Sequence, residues 1–293
     1  MNDDSTRDDT LLDVRNLSIR IENRDDIPPL VRDVSFSLNR GEIVGIVGES
    51  GSGKTLTSLA VARLLPKGLT MEADRIHFDG HDLVNGSDRE LRTVLGTDLA
   101  MVFQDPMSSL NPARKIGAQM IETVREHKGL SKQEARDLAI RSLEDVHMTE
   151  PAKRLKQYPH ELSGGMRQRT MIAMGLMGEP SLILADEPTT ALDVTVQAQV
   201  MQLLCDLNDR KGSAVLLISH NISLLSEVCD RIIVMFRGEI VEDLTTAKLL
   251  SGPDHPYTRG LIRAVPDLST DRNEDLVTIE DSQFDVEREL GHA

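Results

Sequence analysis

Residues 43–55 read Ile43-Val44-Gly45-Ile46-Val47-Gly48-Glu49-Ser50-Gly51-Ser52-Gly53-Lys54-Thr55. The first five form a short apolar run of the kind that fills a buried strand. The next eight fit G-x-x-x-x-G-K-[ST], the phosphate-binding loop pattern. Glycines let backbone N–H groups curl round phosphates, and the following helix turns its positive N-terminal end to them. In such loops the lysine, here Lys54, reaches the β and γ phosphates, and the hydroxyl, here Thr55, ligates Mg²⁺. Gly48, Glu49, Ser50, Gly51, Ser52, Gly53, Lys54 and Thr55 are therefore candidate nucleotide-binding residues. A strand, loop and helix in this order predict a P-loop α/β core.

On the N-terminal side, residues 11–21 (LLDVRNLSIRI) and 30–38 (LVRDVSFSL) alternate apolar and polar, as half-buried antiparallel strands do. Ile27-Pro28-Pro29 breaks between them. After the loop, a helix is predicted over 53–65, stopped by Pro66 and Gly68, and residues 98–103 (DLAMVF) read as a strand. Residues 114–147 then turn helical in pattern, with many charges. From Leu182 the chain returns to strand (LILAD), helix (194–211) and strand (214–219), and two strands at 231–236 and 239–242 flank Arg237-Gly238. The expected organisation is an α/β core with an antiparallel β edge from residues 1–113 and 161–250. A helical subdomain occupies 114–160, and 251–293 form a C-terminal appendix.

Leu182-Ile183-Leu184-Ala185-Asp186-Glu187 is an apolar strand ending in two carboxylates. Alone, such an end is as often a pair of solvated acids. Beside a phosphate loop, the first acid, Asp186, is the candidate Mg²⁺ ligand and the second, Glu187, the candidate general base. Leu162, Ser163, Gly164 and Gly165 open another helix. Their backbone N–H groups and the Ser163 hydroxyl could bind an anion, although a second phosphate site is unexpected in one domain.

The formal net charge is −15, and residues 1–13 and 267–293 supply −4 and −7 of it. Charge runs of this kind are solvated tails, and they argue against nucleic acid or an anionic lipid surface as the main partner. No apolar run approaches the roughly 20 residues that span a bilayer. The acidic, polar start (Met1-Asn2-Asp3-Asp4) does not read as a secretory signal. Cys205 and Cys229, the only cysteines, read as buried free thiols in a reducing compartment.

Taken together, the phosphate loop, Gln104 after a strand, L-S-G-G, the Asp-Glu strand end, Ala191-Leu192-Asp193 and His220 follow the order and rough spacing of an ABC ATPase, and the chain resembles that family over residues 11–265. The resemblance implies that ATP is the nucleotide and that two subunits pack head to tail. Each ATP would lie between one subunit's phosphate loop and the other's Leu162–Gly165 segment, which accounts for the second anion site. By the same resemblance Gln104 senses Mg²⁺ near the membrane-subunit contact, Asp193 links the two sites, and His220 contacts the γ-phosphate and steadies Glu187. Tyr158-Pro159-His160-Glu161 resembles importers. Phe103-Gln104-Asp105-Pro106-Met107-Ser108-Ser109-Leu110-Asn111-Pro112, Asp186-Glu187-Pro188-Thr189-Thr190-Ala191-Leu192-Asp193 and His255-Pro256-Tyr257-Thr258-Arg259 are similar to the oligopeptide and dipeptide importer ATPases, a group that includes nickel and some glycan importers. The partners implied are two permease subunits, a second ABC ATPase (a paralogue or another copy of this chain) and, indirectly, an extracytoplasmic solute-binding protein. The place implied is the cytoplasmic face of the cell membrane.

This sequence departs from the family pattern in three ways. The family has an aromatic side chain that stacks on adenine before the phosphate loop, and residues 28–32 contain none. Several relatives carry a cysteine-rich C-terminal extension resembling an iron–sulfur site, whereas no cysteine follows Cys229 here. Met166 stands where many members have Gln. Two other classes fit less well. ABC ATPases of translation or DNA repair join two cassettes or insert long coiled coils, and an inert nucleotide-holding paralogue would be expected to lose Glu187 or His220. The acidic tail after about Asp267 is expected to be dispensable for ATP hydrolysis.

Overall fold

The computed structural model describes residues 9–105, 109–189 and 194–264. Asp193 and the acidic tail, each the subject of an expectation above, lie outside these residues. Two sheets organise the described chain. The first is antiparallel, in the order β2-β1-β5-β6 with β4 also on β1. β1 spans Thr10–Ile21, β2 Val31–Asn39, β4 Leu69–Glu72, β5 Arg75–Phe78 and β6 His81–Asp82. The second runs β11-β10-β3-β9-β8-β7. Here β3 is Ile43–Val47, β7 Leu99–Val102, β8 Leu182–Asp186, β9 Ala214–Ile218, β10 Arg231–Phe236 and β11 Glu239–Thr245. Its pairs are parallel except β10 with β11.

The central strands carry unbroken apolar runs because both of their faces are covered. Val44 and Ile46 of β3, Leu182 and Leu184 of β8, and Ile233 and Met235 of β10 point into a core shared with the antiparallel sheet. Their neighbours Ile43, Val47, Ile183, Ala185, Ile232 and Val234 point into a second core with the helices. The period of two thus splits one sheet between two cores. β1 and β2, with only one buried face, keep the alternation.

The helix after the phosphate loop is Lys54–Val61, shorter than the 53–65 read from sequence. Gly53 is its N-cap, and the chain leaves it at Arg63, whose φ is +59°. The helical stretch at 114–147 is two helices, Ile116–Lys128 and Lys132–Asp145. Gly129 ends the first in the left-handed conformation that suits glycine, and a Ser131/Glu134 capping box opens the second. These two pack on each other, and the second packs on the helix Gly164–Leu176. The segment 75–94 adds two short strands and the helix Asp88–Val94, which the apolar pattern does not announce. Cys229 is buried, but Cys205 is only partly so, which corrects the expectation of two buried thiols; both are free. No helix among the described residues is long and apolar enough to cross a membrane.

Candidate active site

Four strand ends deliver side chains to one cavity of about 510 Å³, whose lining includes Leu30, Lys54, Thr55, Gln104, Glu187 and His220. β3 leads into the phosphate loop, β7 into Gln104, β8 into Asp186 and Glu187, and β9 into His220. The loop is held close to β10: a Cβ at Gly48 would sit 2.1 Å from the Met235 carbonyl oxygen, so only glycine fits there. Gly238, in the hairpin between β10 and β11, donates its N–H to Ser52 O at 3.1 Å and accepts Arg32 N–H at 2.8 Å. The loop is thereby tied to both sheets.

Lys54 is buried, and its Nζ donates to Gly48 O at 2.8 Å, Glu49 O at 2.7 Å and Ser52 Oγ at 3.4 Å. Burial pulls its pKa down, opposed by the nearby charges of Glu187, Asp186 and Glu49. Thr55 Oγ1 donates to Asp186 Oδ1 at 3.1 Å. Asp186 is only 4% exposed, and burial raises its pKa against the pull of that hydrogen bond. A hydroxyl and a carboxylate brought together in this way are the hard oxygen donors that Mg²⁺ selects.

Glu187 has a ligand on each carboxylate oxygen. Gln104 Nε2 donates to Oε2 at 3.0 Å, and His220 Nδ1 lies 3.4 Å from Oε1. Its backbone is strained, with φ +44°, a value sparsely populated outside glycine and typical of residues that a site over-determines. Glu187 N–H still pairs with Ile218 O at 3.0 Å, so the strain falls where β8 leaves the sheet.

The structure therefore brings Lys54, Thr55, Gln104, Asp186, Glu187 and His220 together. It does not bring Leu162 to Gly165 to them, since none of these four lines the cavity. Leu162 is buried, while Ser163 and Gly164 are exposed and Ser163 Oγ caps the following helix at Met166 N–H, 3.4 Å away. Leu30 also lines the cavity and is not among the site residues the sequence motifs single out; residues 28–32 lack an aromatic ring but carry this apolar side chain.

A parallel sheet with the phosphate loop after its central strand, and paired acids after the next strand but one, defines a P-loop nucleotide-binding cassette. The comparisons narrow this. The profile of the ABC transporter family matches residues 31–190, and that of the oligopeptide/dipeptide transporter C-terminal region matches residues 241–290. The chain is 47% identical over 260 residues to a probable peptide ABC transporter ATP-binding protein, y4tR, of Sinorhizobium fredii, covering 88% of this chain and 78% of that one. It is 47% identical over 270 residues to the oligopeptide transport ATP-binding protein OppD of Haemophilus influenzae, covering 92% and 83%. Among solved structures, the dimeric ATP-binding cassette MJ0796 bound to ADP and Pi superposes with a TM-score of 0.70 at 28% identity, over 80% of this chain and 98% of that one. The chain belongs to the ABC transporter family, as one of its ATP-binding subunits, and is an ABC-type ATPase.

Proposed function

We propose that this chain hydrolyses ATP with Mg²⁺ to drive solute uptake, with peptides as the solute class, through two permease subunits at the cytoplasmic face of the membrane. The observation that carries the reading is the convergence of Lys54, Thr55 and the doubly held Glu187 on one cavity, with Asp186 hydrogen-bonded to Thr55. The peptide class rests on the C-terminal-region match and on the names of the relatives.

The reaction is ATP + H₂O → ADP + phosphate. Glu187 accepts the proton of the attacking water, with Gln104 and His220 fixing its two oxygens. Lys54 lies within reach of the loop's phosphate cradle, and its ammonium stabilises charge on the transferring phosphoryl group. Thr55 and Asp186, with Gln104 from the same cavity as Thr55, would hold Mg²⁺, which would neutralise phosphate charge. Ser163 and Gly165 serve a nucleotide held by a second ABC ATPase subunit, and Asp193 links the two sites. The exposure of Ser163 and Gly164 supports this pairing. The part 114–160 forms a helical subdomain beside the ATP-binding core of 1–113 and 161–250.

The isolated chain is expected to bind MgATP but to turn it over slowly, with a rate per subunit that climbs with protein concentration or on adding the partner ATPase and permeases. In proteoliposomes carrying the full assembly, uptake of a labelled peptide should need both ATP and intact Glu187. A high rate independent of concentration counts against the paired site, and ATP turnover without peptide uptake counts against the solute class.

A further inference from the structure

The His255–Arg259 segment marks the resemblance to peptide importers, yet the mechanism above does not use it. We propose that Tyr257 is a positioning residue of the phosphate loop, holding it in the shape that receives the β-phosphate. The proposal rests on the ATPase reading.

His255, Pro256 and Arg259 set up the helix that delivers the Tyr257 hydroxyl. His255 caps the helix Pro256–Arg263, its Nδ1 accepting Tyr257 N–H at 3.2 Å. Pro256 stands at the first helical position, where its missing N–H costs nothing. Thr258 is fully buried, and Arg259 Nη1 donates to the carbonyl oxygens of Pro253 and Asp254, fixing the approach to the helix. The helix packs on Ile222–Val228. Tyr257 is completely buried, its ring 4.3 Å from that of Phe236, centroid to centroid. Its hydroxyl oxygen accepts Glu49 N–H at 3.0 Å.

That N–H belongs to the peptide unit whose carbonyl, Gly48 O, accepts Lys54 Nζ at 2.8 Å. One peptide plane is thus gripped on both edges, by the C-terminal helix and by the phosphate-binding lysine. Beneath it Gly48 is pressed against Met235, and Phe236, the next residue, packs on Tyr257. The plane can scarcely turn without breaking one of these contacts. A loop held in its binding shape loses less freedom when phosphate arrives. The contact should therefore act on ground state and transition state alike, because both are cradled by the same loop.

Tyr257→Phe removes the hydroxyl and keeps the ring. Kd for ATP and for ADP, and KM for ATP in the assembled transporter, are expected to rise about fivefold, as the loss of one neutral hydrogen bond implies, with kcat within about twofold of wild type. Phe236→Leu loosens the same ring packing but leaves the hydroxyl. It should lower Tm with a smaller change in Kd. Unchanged Kd values in Tyr257→Phe, or an equal loss in Phe236→Leu, overturn the proposal. Amide hydrogen exchange reads the contact directly, even in wild type alone. Glu49 N–H should be protected in the nucleotide-free chain, and exchange at the free-peptide rate overturns the proposal even if the Phe variant does not fold. Wild type that binds nucleotide but never hydrolyses it in the full assembly would sink the ATPase reading and leave the binding and exchange comparisons to decide Tyr257.

Discussion

Gln104 Nε2 donates to Glu187 Oε2 at 3.0 Å, joining the chain just beyond β7 to the acid just beyond β8. Replacing Glu187 by Gln keeps the shape and most of the hydrogen bonding but removes the proton acceptor. ATP hydrolysis should fall by about 10² to 10⁴, the usual contribution of a general base, while MgATP binding survives. With its partner ATPase and MgATP, the variant should elute from size-exclusion chromatography as a longer-lived dimer. Turnover at the wild-type rate would remove Glu187 from the role of base.

Asp186 is a different case, because its carboxylate is buried and its pKa is raised by that burial. At neutral pH a charge held this way costs stability in the nucleotide-free chain and is useful only once a cation arrives. Asp186→Asn should raise Tm of the nucleotide-free chain by a few degrees and abolish the Mg²⁺ dependence of ATP binding. Scanning fluorimetry and a Mg²⁺ titration check both halves; a lower Tm with metal dependence intact is the contrary result.

Leu30 lines the nucleotide cavity just before β2, in the stretch 28–32 that lacks an aromatic ring. An aliphatic side chain packs on a base without the added geometry of ring stacking, worth about 0.5–1.5 kcal/mol. Leu30→Tyr should therefore tighten ATP binding by roughly threefold to tenfold. Fluorescent-nucleotide titration checks this, and no change would place the base elsewhere.

Gly164 has nothing within 4 Å of the position a Cβ would take. An Asp there starts a helix, where an acid is tolerated well. Gly164→Asp should leave Tm and the nucleotide Kd of the isolated chain unchanged yet reduce turnover of the assembled transporter at least tenfold, since its charge would face the partner's phosphates. Equal losses in binding and turnover would mean that the segment acts within its own chain.

Much of this was legible in the sequence. The strands of the parallel sheet announce themselves as continuous apolar runs because two cores cover them. The site follows from strand ends, since Asp186, Glu187 and His220 sit where β8 and β9 stop. The antiparallel sheet was half legible. β1 and β2 alternate, but Leu69–Glu72 has no buried residue and is a strand only because β1 pairs with it. The break between the helices Ile116–Lys128 and Lys132–Asp145 was readable in Ser131 and Glu134 as a capping box. The reach of Tyr257 to Glu49 was not, because a contact across 208 positions leaves no periodic trace.

The place of β3 in its sheet bears on how the protein is made. Ile43 pairs with Val215 on one side, and Val44 pairs with Arg231 on the other. At 5–20 residues per second, the ribosome needs roughly 10–40 s to make the chain between them. Through that interval β3 has neither neighbour available and is an apolar strand with two unpaired edges, a template for pairing with another chain. Closing such distant pairings is slow. The loop that grips the phosphates is thus among the earlier segments to be synthesised and among the last to gain its walls.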